Sequence, residues 1–122
     1  MDAAKVRHAI HSRATRASMS EVAACLQTVL GQRLTAVVAG VNDAKAVGQW
    51  ARGARVPHPE AERRLRDTYQ VVGLLLEYDK PETVRAWFGG MNPHLGDQAP
   101  ALVVATDPDH VVEAAQAFVA NG

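Results

Sequence analysis

The chain is 122 residues long, nearly half hydrophobic but poor in aromatics, with thirteen Lys/Arg, thirteen Asp/Glu and a single cysteine. One cysteine excludes an internal disulfide and a cysteine-based zinc site, and no apolar run approaches the roughly 20 residues of a membrane span. The net charge of zero conceals a division: residues 1–66 hold eleven basic against five acidic side chains (+6), and residues 67–122 hold two against eight (−6).

A basic half suits a polyanion, whereas an acidic half repels one and suits a different partner. The split predicts two binding functions on one soluble, cytoplasmic chain. Residues 1–17, with Lys5, Arg7, Arg13 and Arg16, read as a basic, flexible arm. Ser18 and Glu21 then have the spacing of a capping box, and Val22, Cys25, Leu26, Val29 and Leu30 recur at helical intervals as far as Gly31. Cys25 lies on that apolar stripe and is expected in the core. Leu34, Val37, Val38 and Val41 continue the period in a shorter helix, broken at Gly40, where a tight turn needs a positive φ. Asn42 is the expected cap of a third helix reaching Arg52, and Gly53 its stop.

Beyond Val56-Pro57-His58, a long helix starts at Pro59 with the stripe Leu65, Tyr69, Val72 and Leu76. Over residues 71–76 it is apolar on nearly every side, as a helix buried by two lobes would be. Pro81 opens a helix carrying Val84, Trp87 and Phe88 as far as Gly89-Gly90, followed by an irregular segment, 91–98. Pro100 opens a short apolar stretch to Val104. Thr106 or Asp107 caps a last helix aligned on Val111, Val112, Ala115, Phe118 and Val119. Residues 102–104 could pass for a strand, but none is required. The fold class is all-α: a helix-turn-helix lobe, 18–66, joined by a long central helix to a small helical lobe, 67–122.

The third helix divides as a DNA-reading helix must. Val47, Trp50 and Ala51 lie on one side, and Asn42, Lys45, Gln49 and Arg52 on the other. Lys can donate to guanine, and Gln or Asn can bind adenine through two hydrogen bonds. Arg33, Arg55, Arg63 and Arg64 surround this face as phosphate contacts, which set position rather than sequence. Taken singly, Lys45, Gln49 and Arg52 also fit an ordinary solvated face. Asp43 opposes phosphate, though its carboxylate suits a helix start.

From about residue 34 to 118 the chain resembles the Xre/MbcA/ParS-type antitoxins of bacterial toxin–antitoxin systems. The resemblance rests on Gly40-Val41, Val47-x-x-Trp50-x-x-Gly53, Pro57 and Pro59-Glu60-Ala61-Glu62-Arg63-Arg64-Leu65 in the first part. In the second part it rests on Arg85-Ala86-Trp87-Phe88, Asn92-Pro93-His94-Leu95-Gly96, Pro100 and Ala105-Thr106. The chain departs from the family's usual pattern at Asp97-Gln98 and at Ala101-Leu102-Val103. The resemblance implies an antitoxin that neutralises a RES-domain, NAD-degrading toxin and represses its own operon by binding operator DNA, as a homodimer or in a higher hetero-oligomer. Asn92, His94, Asp97, Asp107, Asp109 and Glu113 are the toxin-binding candidates. Of these, Asn92 also fits a purely structural role beside Pro93 and Gly96, and the exposed acids are contact candidates on charge.

No convergent set of polar groups suggests an enzyme, and neither a cofactor nor a metal is expected. His8 and His11 have i, i+3 spacing without a suitable acid, and the other histidines are scattered. The alternative is a stand-alone helix-turn-helix regulator without a toxin; a pure protein–protein adaptor is the third reading.

Overall fold

Helix α1 (Met19–Leu30) begins where Ser18 Oγ accepts the Glu21 amide at 3.1 Å, so the serine half of the expected capping box is present. It ends at Gly31, whose φ of 85° turns the chain within one residue into α2 (Gln32–Ala39). Thr35, fully buried, fixes this junction by donating to the Gly31 and Leu26 carbonyls at 2.7 and 3.2 Å. Gly40 takes the left-handed conformation (φ 77°, ψ 27°), and the amides of Gly40 and Val41 return to the Val37 and Ala36 carbonyls. This is the hydrogen-bond pattern of a Schellman stop.

The computed structural model describes residues 16–121, so nearly all of the expected basic arm, His8 and His11 included, lies outside the described residues. The remaining helices are α3 (Lys45–Ala51), α4 (Pro59–Leu76), α5 (Pro81–Gly89), α6 (Pro100–Val103) and α7 (Pro108–Asn121), with a 3-10 turn at Pro93–Leu95. The fold is all-α. Among the described residues there is no strand, only an isolated antiparallel bridge between Asn92 and Gln98. Residues 102–104, which could have passed for a strand, fall in α6 and the turn after it. No helix among the described residues is long and apolar enough to cross a membrane.

Helix α4 is the axis of the molecule: α1 and α2 pack on it from the basic half, α5 and α7 from the acidic half. The two halves also touch directly, α1 against α5 and α2 against α6. Their buried side chains form one continuous cluster running from Val22, Leu26 and Val38 through Leu65, Val72 and Leu75 to Phe88, Val104 and Val111. The inward stripe of α4 is Leu65, Thr68, Val72 and Leu75. The expected stripe members Tyr69 and Leu76 are only half-buried. With Gly73 and Glu77 they line an open groove against Cys25. Cys25 is likewise half-buried rather than in the core, although burial still raises its thiol pKa.

Two arginines tie the halves together. Arg85 of α5 donates to the Val29 carbonyl at 3.0 Å and, more weakly, to Thr28 at 3.4 Å, placing a cation at the C-terminal end of α1. In the other direction, Arg63 of α4 donates to the Ala105 carbonyl at 2.8 Å, between α6 and α7.

Candidate nucleic-acid interface and partner surface

The segment expected to form a helix-turn-helix unit consists of α2, a turn over residues 40–44, and α3. The helix expected over residues 42–52 is shorter, Lys45–Ala51. Asn42 lies in the turn, and Asp43 is the residue that starts α3, its Oδ1 accepting the Lys45 amide at 3.0 Å. A carboxylate does this at least as well as an amide and also suits the positive end of the helix dipole. At the far end, Arg52 closes the helix and Gly53 (φ 73°) turns the chain, with the Ala54 amide reaching back to Gln49.

Helix α3 buries Ala46, Val47 and Trp50 against the core, chiefly against α1. Lys45 and Arg52 are exposed, and Gln49 is half-exposed on the same face, accepting a 3.4 Å hydrogen bond from Arg55 Nη1. Asn42, Arg33 and Arg55 are also exposed. A cleft of about 540 Å³ runs beside the turn, floored by Val41, Ala46, Trp50 and Pro57, with Arg55 and His58 among its other lining residues.

Arg63 and Arg64 are placed differently. Arg63 is held by Glu60 at 2.8 Å and Asp67 at 2.7 Å as well as by the Ala105 carbonyl, so its donors face the protein. Its neighbour Glu60 has its carboxyl pKa lowered, first by the hydrogen bond from Arg63 and further by Arg64. Arg64 reaches Glu60 at 3.4 Å and lays its guanidinium over Gly40.

In the acidic half, Phe88 is fully buried and meets Trp87 edge to face at 5.0 Å between ring centroids. Trp87 itself is half-buried and faces Phe118 across α7. After Gly89-Gly90 the chain enters a tight loop. Buried Asn92 accepts the His94 amide at 2.9 Å and so starts the 3-10 turn. Gly96 and Asp97 then both take positive φ, 63° and 65°, and Asp97 is the single non-glycine residue to do so among the described residues.

Asn92 is therefore a structural element of the loop, while His94 and Asp97 project from it, exposed. The acids of α7 lie elsewhere. Asp107 caps the helix by accepting the His110 amide at 3.2 Å, and exposed Asp109 occupies its first turn. Exposed Glu113 sits one turn further along. The groove beside the loop, about 400 Å³, meets α7 at Ala114, Ala117 and Phe118. Ten residues of helix place Asp107 about 15 Å from Ala117, whereas Glu113 directly precedes Ala114 of the groove's lining.

Sequence reasoning missed two things. Met91, 82 % exposed, stands at the groove's mouth with Trp87, Pro93 and Phe118; an apolar residue between Gly-Gly and Asn-Pro was its signal. Gln27 and Gln32 lie over Gly48 on the polar face of α3, and the signal was a polar face with a glycine in its middle. No group of His, Cys, Asp or Glu that could hold a metal ion occurs among the described residues. Comparison of the chain with protein-family models, with curated proteins and with solved structures gives no match.

Proposed function

We propose that the chain is a cytoplasmic antitoxin and autorepressor, without catalysis of its own. Its basic half binds operator DNA through α3, and its acidic half holds a RES-domain toxin that degrades NAD. The observation carrying the DNA part is the left-handed Gly40 turn between two short helices, which buries Val47 and Trp50 and leaves Lys45, Gln49 and Arg52 facing outward. That disposition lets a helix enter the major groove without uncovering the core. The toxin part rests on the resemblance of the sequence, supported by the concentration of negative charge after residue 66. Phosphate contact falls to Arg33, Arg55 and the exposed end of α3, because Arg63 is engaged within the protein. A homodimer is expected, since two such units on a palindrome multiply a weak half-site affinity.

The test is co-expression with the product of the neighbouring reading frame, following growth and cellular NAD. Depletion of NAD by the neighbour alone, with growth restored and a complex recovered when this chain is present, supports the proposal. A harmless neighbour and no complex would leave the stand-alone regulator as the better account.

A further inference from the structure

The outward face of α3 repeats at i, i+3, i+4, i+7: positions 45, 48, 49 and 52. Three of these carry long polar side chains. The fourth, Gly48, carries none, and yet it is buried. Its cover comes mainly from outside the helix. A Cβ on residue 48 would stand 2.9 Å from Gln32 Nε2 and 3.5 Å from Gln27 Oε1, with Arg52 Nη1 at 3.3 Å. Gln32 is the first residue of α2 and is exposed; its Nε2 donates to Gln27 Oε1 at 2.7 Å. An amide from a neighbouring helix thus occupies the place on the reading face where residue 48 has no side chain.

The chemistry of that amide is specific. A glutamine side chain has two N–H donors and one carbonyl acceptor. The bond to Gln27 takes one donor and fixes the direction of the group. The other donor and Oε1 remain: where Gln27 takes the N–H pointing away from Oε1, the N–H left beside Oε1 completes the pair that matches N7 and the amino group of adenine in the major groove. Neighbouring Lys45, with donors only, has no such match.

We propose that Gln32 is a specificity-determining residue for duplex DNA. It reads an adenine from the position Gly48 leaves open, and Gln27 acts as its positioning residue. The inference rests on the DNA-binding reading above. It also gives Gly48 a reason: a Cβ there would push the Gln32 amide aside from its present position.

The experiment is selection of binding sites from a pool of randomised duplex DNA with the full chain, in parallel for wild type, Gln32→Ala, Gln27→Ala, Gln27→Glu and Gly48→Ala. Circular dichroism and thermal melting check that each variant is folded. Wild type is expected to enrich a motif containing an adenine whose preference falls by about fivefold or more in Gln32→Ala while the other positions persist. Gln27→Ala and Gly48→Ala weaken that same position. Gln27→Glu, which keeps an acceptor for Gln32, retains it. An unchanged motif in Gln32→Ala overturns the assignment, as does uniform weakening at all positions, the mark of a phosphate contact. A wild-type chain that enriches no sequence overturns the DNA-binding reading itself, and this inference with it.

Discussion

Arg64 lies across Gly40, and the glycine there answers two demands at once. Its φ of 77° is one that side-chain-bearing residues resist, and a Cβ would also run into the Arg64 guanidinium. Gly53 has nearly the same φ, 73°, with nothing within 4 Å of the same position. The two sites therefore separate strain from crowding. Gly53→Ala should lower stability by about 1 kcal/mol, the cost of a left-handed alanine, and Gly40→Ala by a similar amount with or without Arg64→Ala, because the guanidinium is the free end of a flexible side chain that can swing aside. Urea denaturation of the three variants measures this.

Asp43 offers a second residue-scale comparison. Asp43→Ala removes the acceptor of the Lys45 amide and should cost about 1 kcal/mol, whereas Asp43→Asn keeps an acceptor and most of the stability. In the proposed complex the asparagine also removes a negative charge near phosphate, so Asp43→Asn should bind DNA more tightly than wild type. Melting curves and DNA titration at fixed salt test both halves of the expectation.

At the scale of elements, most helices have an end set by a side chain or glycine that the sequence made visible: Ser18, Gly31, Gly40, Pro59, Pro81 and Asp107. Local signals of this kind are legible because the residue that stops or starts a helix is adjacent to it in the chain. The inward face of α4 was less legible. Apolar residues on nearly every side of residues 71–76 leave the orientation to packing against the neighbouring helices, which buries Val72 and Leu75 more fully than Tyr69 and Leu76. Lys45, Gln49 and Arg52 were legible as a face through periodicity. The Gln27–Gln32 pair was not, because it reaches that face only once α1 and α2 have folded beside α3.

The arginine ties are elements' business too. Arg85→Met should lower stability by about 1 kcal/mol, modest because Arg85 is solvent-exposed, with the loss read as a shift of the urea midpoint. Glu60 has its folded pKa below the unfolded value, so its contribution to stability is complete above the ordinary carboxylate range and is lost as pH falls through its folded pKa. Glu60→Gln should therefore flatten the acid limb of the stability curve, most simply followed by thermal melting across an acidic pH series.

For the molecule as a whole, charge and fold partition differently. Charge changes sign near residue 66, in the middle of α4, while the buried core runs across that point without a break. The salt dependence of DNA binding tests which cations act outward. Arg55→Ala should lower the slope of log affinity against log salt by about 1, the signature of one lost phosphate contact. Arg63→Ala should leave the slope as it is and lower the melting temperature instead, because its partners are Glu60, Asp67 and Ala105. Equal slopes for Arg55→Ala and wild type would remove Arg55 from the interface.

The crossed ties, Arg85 onto the end of α1 and Arg63 onto the link before α7, bear on how such a chain can be recombined. A chimera joined at residue 66 would keep Arg63 but replace the carbonyl it grips, and would keep the end of α1 but lose the guanidinium that closes it. Each transplanted half would arrive with one arginine and one acceptor carbonyl, both parted from their mates. If the proposed toxin surface is the right one, partner specificity is therefore better exchanged by grafting the loop after α5 and the outer face of α7 onto an intact scaffold than by swapping halves.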